Sequence, residues 1–88
     1  MWYVYVLKSL IASRLYTGMS ENISERLKSH NSKKVKSTKA FAPWELIYQK
    51  GPFENAIDAR KCEKYLKSAG GKKFLNKVGG SPPDQTDV

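Results

Sequence analysis

Two short runs of strand-forming residues near the N-terminus predict a β-hairpin. Residues 2–8 are apolar on both faces of the predicted strand, which is typical of a central strand that is covered on each side. A connection at 9–13 leads to a second strand at 14–19, a spacing that suits an antiparallel pair with a loop of about five residues. Gly18 lies near the end of the hairpin, where the backbone turns or is closely approached. One face of the first strand carries Tyr3, Tyr5 and Leu7.

The pattern then changes to a helical period. Asn22 and Glu25 have the spacing of a capping box, which predicts a helix with Asn22 as its N-cap. Ile23 and Leu27 follow at i, i+4 and share one helix face. We expect this helix to end near Asn31.

A basic loop and a third strand are predicted next. Residues 32–43 have no clear period and end in a proline, so we interpret them as a mobile loop. Residues 44–50 alternate again and predict a strand, with Gly51 and Pro52 at its end. The loop contains no acid and four lysines: Lys33, Lys34, Lys36 and Lys39.

The longest predicted helix spans residues 53–69. Gly70 and Gly71 are expected to stop it, and residues 72–78 to form one or two further turns that dock Phe74, Leu75 and Val78. The pattern therefore predicts the order β-β-α-β-α with a short third helix, in one domain over 1–78, and a disordered tail over 79–88. The buried stripe of the long helix is predicted to be Ala56, Ala59, Cys62, Leu66 and Ala69.

Composition favours a basic, soluble domain. The 88 residues include 16 Lys and Arg against 8 Asp and Glu, and two of those acids lie in the predicted tail. A body this basic suggests a polyanionic partner, most commonly nucleic acid, although solvated basic surfaces also occur without that role. A lone cysteine and a lone histidine exclude an internal disulfide and a structural zinc site. The chain has neither a membrane-spanning run nor a secretory signal, so we expect a cytoplasmic protein.

Glu63 is the residue that folding alone does not explain. At 100° per residue it falls between Ala56 and Ala59, inside the apolar arc of the long helix. A carboxylate there needs a cation, a metal or a hydrogen-bonding network. One interpretation is an ion pair with Arg26 or a lysine. The other is a ligand for a hard divalent cation, which takes one or two carboxylates and completes its shell with water and phosphate.

Several other side chains could carry chemistry. Arg26 suits phosphate oxygens, but a solvated arginine is the ordinary case. His30 follows at i, i+4 and could bind phosphate, relay a proton or cap the helix end. Tyr5 and Tyr16, taken singly, are core or half-core residues, although a phenol can also donate or accept a proton.

Taken together, Tyr3-Val4-Tyr5, Tyr16-Thr17-Gly18, Arg26, His30 and Glu63 resemble the GIY-YIG nuclease domain, over about residues 2 to 77. The chain is most similar to small, stand-alone bacterial members. The resemblance implies an α+β fold with a small three-stranded antiparallel sheet flanked by helices, in agreement with the predicted element order.

The resemblance also implies a site and a reaction, the metal-dependent hydrolysis of phosphodiester bonds. It places Tyr5 and Tyr16 in the active site, where one of them helps to deprotonate the attacking water. Arg26 would hold the scissile phosphate, His30 would assist nearby, and Glu63 would bind one Mg²⁺ or Mn²⁺ ion.

One part of the family pattern differs in this chain. Several members supply a lysine close to the second motif, whereas Met19 follows Gly18 here. A phenol acts as a base at neutral pH only if nearby cations lower its pKa. Lys8 or a lysine of the loop could take that place.

Three functions are consistent with these features. The first is an endonuclease acting on DNA, including branched, damaged or single-stranded forms, with specificity supplied by a protein partner or by nucleic-acid shape. The second is a nucleic-acid-binding module with little activity, and the third is an adaptor for an acidic protein. We expect Lys33, Lys34, Lys36, Lys39 and Lys67 to contact nucleic acid, with further help from Lys61, Lys64, Lys72 and Lys73.

Overall fold

A three-stranded antiparallel sheet forms the centre of the computed structural model, which describes residues 1–77. Its strands are β1 (Trp2–Ser9), β2 (Leu15–Ser20) and β3 (Trp44–Phe53). The strand order is β2-β1-β3, so β1 is central, as its two apolar faces predicted. The hairpin of β1 and β2 is confirmed, with its loop at residues 10–14.

The helices are α1 (Ile23–Asn31), α2 (Ala56–Lys67) and α3 (Ala69–Leu75), and a 3-10 helix spans Lys39–Phe41. The predicted α+β order is therefore confirmed. Asn22 caps α1 as predicted, because its side chain accepts a hydrogen bond from the Glu25 amide. The predicted tail at 79–88 and the docking of Val78 lie outside the described residues. Within residues 1–77, no helix has the length and apolar character needed to cross a membrane.

The sheet separates two apolar clusters. On one face, Val4 and Val6 of β1 pack with Ala59, Leu66 and Leu75 of α2 and α3. On the other face, the buried residues are Tyr5, Leu7, Ala42 and Trp44, and Ile23 and Leu27 of α1 pack against them. Successive side chains of a strand point to opposite faces, so the seven residues at 2–8, which include Tyr5, contribute side chains to both apolar clusters.

Strand β3 is longer than the sequence pattern predicts. The predicted end at Gly51 and Pro52 is wrong, because pairing with β1 continues to a match of Trp2 with Phe53. The register shifts between Trp2 and Val4, which places Gly51 and Pro52 in a bulge that does not need a regular ladder. Gly51 has a φ of 141°, a conformation that favours glycine. A second shift beside Ile47 interrupts the predicted alternation of β3.

The boundaries of the long helix also differ from the prediction. Helix α2 begins at Ala56 because Asn55 is its N-cap, and it ends at Lys67. Ser68 then caps α3, so the break falls before Gly70 and Gly71 rather than at them. Ala69, predicted to be buried, is exposed because it starts the new helix.

Gly71 has a packing role in place of the predicted stop. It is buried, and a Cβ atom there would lie within 3 Å of the backbone at Tyr65 and Leu66. Only a glycine lets α3 fold back so closely onto the end of α2. Phe74 and Leu75 dock on the core as predicted.

The basic loop at 32–43 is tied to the rest of the fold near its middle. Thr38 is 1% exposed, and its carbonyl accepts a hydrogen bond from the Trp44 indole at 3.0 Å. The 3-10 helix follows at once, and the Phe41 carbonyl accepts a hydrogen bond from the Ser9 hydroxyl. The prediction of a wholly mobile loop is therefore wrong for its second half, because a single buried threonine has no periodic signal.

Candidate functional site

Tyr5 lies at the centre of the predicted site. It is 1% exposed, and its hydroxyl lies 3.0 Å from Nε2 of His30. Gly18 is its partner across the β1–β2 pair. A Cβ atom at Gly18 would come within 2.8 Å of the Tyr5 hydroxyl and 3.1 Å of the Tyr16 ring. Gly18 therefore makes the space in which the two phenols approach each other.

His30 is a fully buried part of a hydrogen-bonded chain. Its Nδ1 lies 2.7 Å from Oγ1 of Thr38, and Thr38 Oγ1 donates to the Val35 carbonyl at 3.4 Å. Both ring nitrogens of His30 are therefore hydrogen-bonded, Nδ1 to the Thr38 hydroxyl and Nε2 to the Tyr5 hydroxyl. The ring bonds Tyr5 and Thr38 and is shielded from solvent, so His30 holds the phenol in place.

The surroundings of Tyr5 keep its hydroxyl protonated. Burial raises the pKa of Tyr5 above its ordinary value, and the Arg26 guanidinium opposes this without overcoming it. The charges of Tyr16 and Glu63 raise the pKa further. Burial, and then the charge of Arg26, lower the pKa of His30. Tyr5 thus keeps its hydroxyl proton at neutral pH.

Tyr16 is the more accessible of the two phenols. It is half-buried, and its ring centroid lies 4.9 Å from that of His30, 6.3 Å from that of Tyr5 and 6.4 Å from that of Trp44. Its side chain also lines a groove of 470 Å³ between β2 and the α2–α3 corner. One side of the ring is fixed by aromatic neighbours, and the residue still reaches solvent.

Arg26 is exposed on α1 and lines a cleft of 440 Å³ with Met19 and Ser20, at the C-terminal end of β2. Its charge acts on the pKa values of both Tyr5 and His30, so the guanidinium lies close to the buried pair. Met19, which follows the second motif, lines this cleft and packs on the α2–α3 cluster. The side chain of Lys8 leaves β1 on the face opposite to that of Tyr5.

Glu63 reaches the same region from α2. Its side chain is 19% exposed, and its charge raises the pKa of Tyr5. The carboxylate also forms an i, i+4 ion pair with Lys67 at 2.8 Å, which is the ion pair with a lysine that the sequence left open. A lysine that is 56% exposed is held weakly, so this pair does not close the carboxylate to another cation.

The residues fit a loosely held ion better than a protein-caged one. Among residues 1–77 there is no cluster of three or more His, Cys, Asp or Glu side chains. A magnesium ion that keeps several waters and binds substrate phosphate needs only one or two carboxylates, and the partly exposed Glu63 meets that requirement.

The predicted nucleic-acid contacts fall on two surfaces. All four loop lysines are exposed, and the loop that carries them is anchored through Thr38 to His30. Lys67 lies apart from them on α2, beside Glu63. These lysines are Lys33, Lys34, Lys36 and Lys39.

Two residues of this region were not predicted from the sequence. Thr38 orients His30, and nothing in the loop composition distinguishes it from the neighbouring serines. Arg14 lines the groove beside Tyr16, with its guanidinium carbon 4.5 Å from the centroid of the Phe41 ring. Arg14 lies two positions before Tyr16 of the second motif, and this proximity was a usable signal.

Comparison with known proteins identifies the family of this chain. Residues 1–77 match the model of the GIY-YIG catalytic domain. A UPF0213 protein of Clostridium perfringens is 41% identical over 66 residues, which are 74% of this chain and 69% of that protein. The solution NMR structure of a UPF0213 protein of Bacillus halodurans aligns with a TM-score of 0.51 at 29% identity, covering 100% of this chain and 97% of the other. The chain belongs to the GIY-YIG nuclease superfamily.

Proposed function

We propose that this protein is a divalent-metal-dependent endonuclease that hydrolyses phosphodiester bonds in DNA. The observation that carries the proposal is the convergence of Tyr5, Tyr16, Arg26 and Glu63. These residues come from four different elements, yet the charges of the last three all act on the phenol of Tyr5. A buried group whose pKa is shifted by charged neighbours is typical of catalytic sites, and Tyr5 is such a group.

Each exposed side chain has a distinct role in this proposal. Arg26 binds the scissile phosphate, because a guanidinium pairs with two phosphate oxygens and offsets the charge that develops on them. Tyr16 contacts the attacking water, since it is the phenol that reaches solvent. Tyr5 is held by its hydrogen bond with His30 and positions Tyr16 across Gly18.

Glu63 is the proposed ligand for one Mg²⁺ or Mn²⁺ ion. When bound, such an ion lowers the pKa of a coordinated water and stabilises charge on phosphoryl oxygens. Lys67 must release the carboxylate first, and its exposure makes that release inexpensive.

The basic surface supplies affinity for the DNA backbone. The net charge is +8, and the exposed lysines of the 32–43 loop follow directly on the helix that carries Arg26. Contacts of lysine with phosphate are independent of sequence. We propose that specificity comes from nucleic-acid shape or from a protein partner.

The test is cleavage of supercoiled, single-stranded and branched DNA in Mg²⁺ or Mn²⁺. We expect Glu63→Gln to reduce cleavage at least 100-fold, since electrostatic stabilisation of this kind is worth several kcal/mol. Glu54→Gln is the matched control, because Glu54 is an exposed acid before α2. Equal cleavage by wild type and Glu63→Gln would reject the mechanism.

A nucleic-acid-binding module of the same fold is the second candidate function. Two observations favour it: the pKa of Tyr5 is raised, and Lys67 pairs with Glu63. This function predicts salt-sensitive DNA binding without products under every metal condition. Cleavage that disappears in Glu63→Gln would exclude it.

A further inference from the structure

We propose that the groove beside Tyr16 binds one nucleotide of the strand that flanks the cleaved bond. This inference rests on the proposed function and adds a subsite to it. The groove lies between the start of β2 and the corner formed by α2 and α3, and its volume of 470 Å³ falls within the range of about 300–1,000 Å³ for ligand pockets.

The walls of the groove provide an apolar surface suited to a base. Leu66 and Leu75 close the floor of the groove but are only 2% and 1% exposed, so the accessible aliphatic surface comes mainly from Leu15, which is 39% exposed. Tyr16, which is half-buried, also lines the groove, and an aromatic residue offers a base a surface on which to stack.

The rim of the groove is basic. Arg14, Lys67 and Lys72 line it, and none of the residues that line it is acidic. The Phe41 ring holds the guanidinium of Arg14 in a cation–π contact at 4.5 Å, so this cation is ordered before any ligand arrives. A groove with apolar walls below a cationic rim suits a ligand that joins a base to a phosphate better than it suits a base alone or a phosphate alone.

The location of the groove relates it to the proposed chemistry. Arg26 lines the cleft beside Met19 and Ser20, whereas the groove is lined by residues 13–17. The two sites therefore lie along β2 on either side of Gly18. Two residues of a strand span about 7 Å, which is comparable to one step of an extended nucleic-acid strand. A strand whose phosphate contacts Arg26 can place its next nucleotide in the groove.

The experiment is an NMR titration of the full-length, ¹⁵N-labelled protein with thymidine 5′-monophosphate in EDTA, and separately with inorganic phosphate. We expect the nucleotide to shift the amide signals of Thr17, Leu66 and Lys72. Its affinity should exceed that of phosphate by about tenfold, because stacking of a base is worth about 1–3 kcal/mol.

Two variants and two matched controls locate the site. Lys72→Gln removes a rim cation and Leu15→Ser removes apolar surface, and each should weaken nucleotide binding at least threefold. Lys50→Gln on β3 and Ile57→Ser on α2 make the same chemical changes at exposed positions that do not line the groove, and they should leave binding unchanged.

The inference is overturned if nucleotide and phosphate bind equally, if the shifts map to the 32–43 loop, or if the controls weaken binding as much as the groove variants. The titration needs no metal and no cleavage. A cleaving protein without nucleotide binding would therefore reject the groove and keep the nuclease, whereas groove binding without cleavage would do the reverse.

Discussion

Tyr5 is both a core residue and a proposed site residue. Its ring is part of the apolar cluster with Leu7 and Trp44, and its hydroxyl bonds the buried His30. A large truncation at Tyr5 would therefore change stability and activity together. The residues around it allow sharper tests, because their contacts are few and defined.

Gly18→Ala is expected to disrupt the site through one methyl group. The new Cβ would lie 2.8 Å from the Tyr5 hydroxyl and 2.9 Å from the adjacent ring carbon, so a buried phenol must move. We expect this overpacking to lower the free energy of unfolding by about 1–3 kcal/mol, and urea denaturation measures the difference. Gly70→Ala is the control, since its Cβ would meet its nearest atom at 3.8 Å and alanine favours a helix. Equal effects of the two substitutions would contradict the proposed crowding.

His30 predicts a pH dependence of stability. Its pKa is lowered in the folded state, so the unfolded chain binds a proton first as the pH falls below about 6.5. The stabilisation is therefore present above that pH and is lost as the pH falls through the folded pKa. We expect the unfolding free energy of wild type to fall between pH 7.5 and 5, and this slope to be much smaller in His30→Asn. The chain has one histidine, so an unchanged slope would refute the assignment.

Lys67→Met is expected to strengthen metal binding. The substitution removes the cation that pairs with Glu63 and keeps a similar aliphatic stem. Exposed ion pairs are worth about 0.2–1 kcal/mol, which corresponds to a gain of about 1.4- to fivefold in Mn²⁺ affinity by calorimetry. Lys64→Met, on the same helix and outside the ion pair, should leave the affinity unchanged. A weaker affinity in Lys67→Met would show that the lysine supports the metal site.

At the scale of elements, periodic patterns predicted the strands and helices well. The ends of these elements depend on local features that the patterns do not contain. The two apolar faces of residues 2–8 identified the central strand correctly. The extension of β3 through Gly51 and Pro52 depends on a bulge opposite Trp2, which is a tertiary contact. Ser68 ends α2 and starts α3, whereas the following glycines looked like the stronger helix breakers.

Asn31 fixes the end of α1 against the start of β3. Its side-chain amide donates to the Trp44 carbonyl at 3.0 Å, and its side-chain oxygen accepts from the Trp44 amide. Asn31→Ala leaves both backbone groups unsatisfied, so we expect a loss of about 1–3 kcal/mol in urea denaturation. Ser32→Ala removes only hydrogen bonds within the last turn of the helix, and it should cost about 0.5 kcal/mol or less. A similar loss in both variants would argue against this link between the two elements.

At the scale of the whole molecule, two double variants test whether DNA binding depends on the position of the positive charge or only on its total. Each lowers the net charge by the same amount: one is Lys34→Gln with Lys36→Gln, and the other is Lys61→Gln with Lys64→Gln. If the loop tracks the backbone, the first pair should reduce the slope of log affinity against log salt by about 1–2, and the second pair by much less. Fluorescence anisotropy with a labelled duplex measures both slopes. Identical slopes would show that binding depends on total charge alone.

The site residues were identified from the sequence through a family resemblance rather than through spacing alone. Tyr5 and Glu63 are 58 positions apart, and no period relates them. Their electrostatic coupling arises because α2 and the hairpin meet in the folded chain. Thr38 and the Lys67 ion pair could not be predicted for the same reason, because each depends on side-chain geometry that many sequences would permit.

The burial of Tyr5 and Gly18 also has an evolutionary consequence. The fold requires these two residues whether or not the protein cleaves anything, so selection for stability alone would retain them in a lineage that has lost catalysis. The tyrosine and glycine of the two short motifs are therefore poor markers of activity among relatives. Arg26 and Glu63 are better markers, because an exposed guanidinium and a carboxylate at a solvent edge would be free to drift once the reaction was no longer needed.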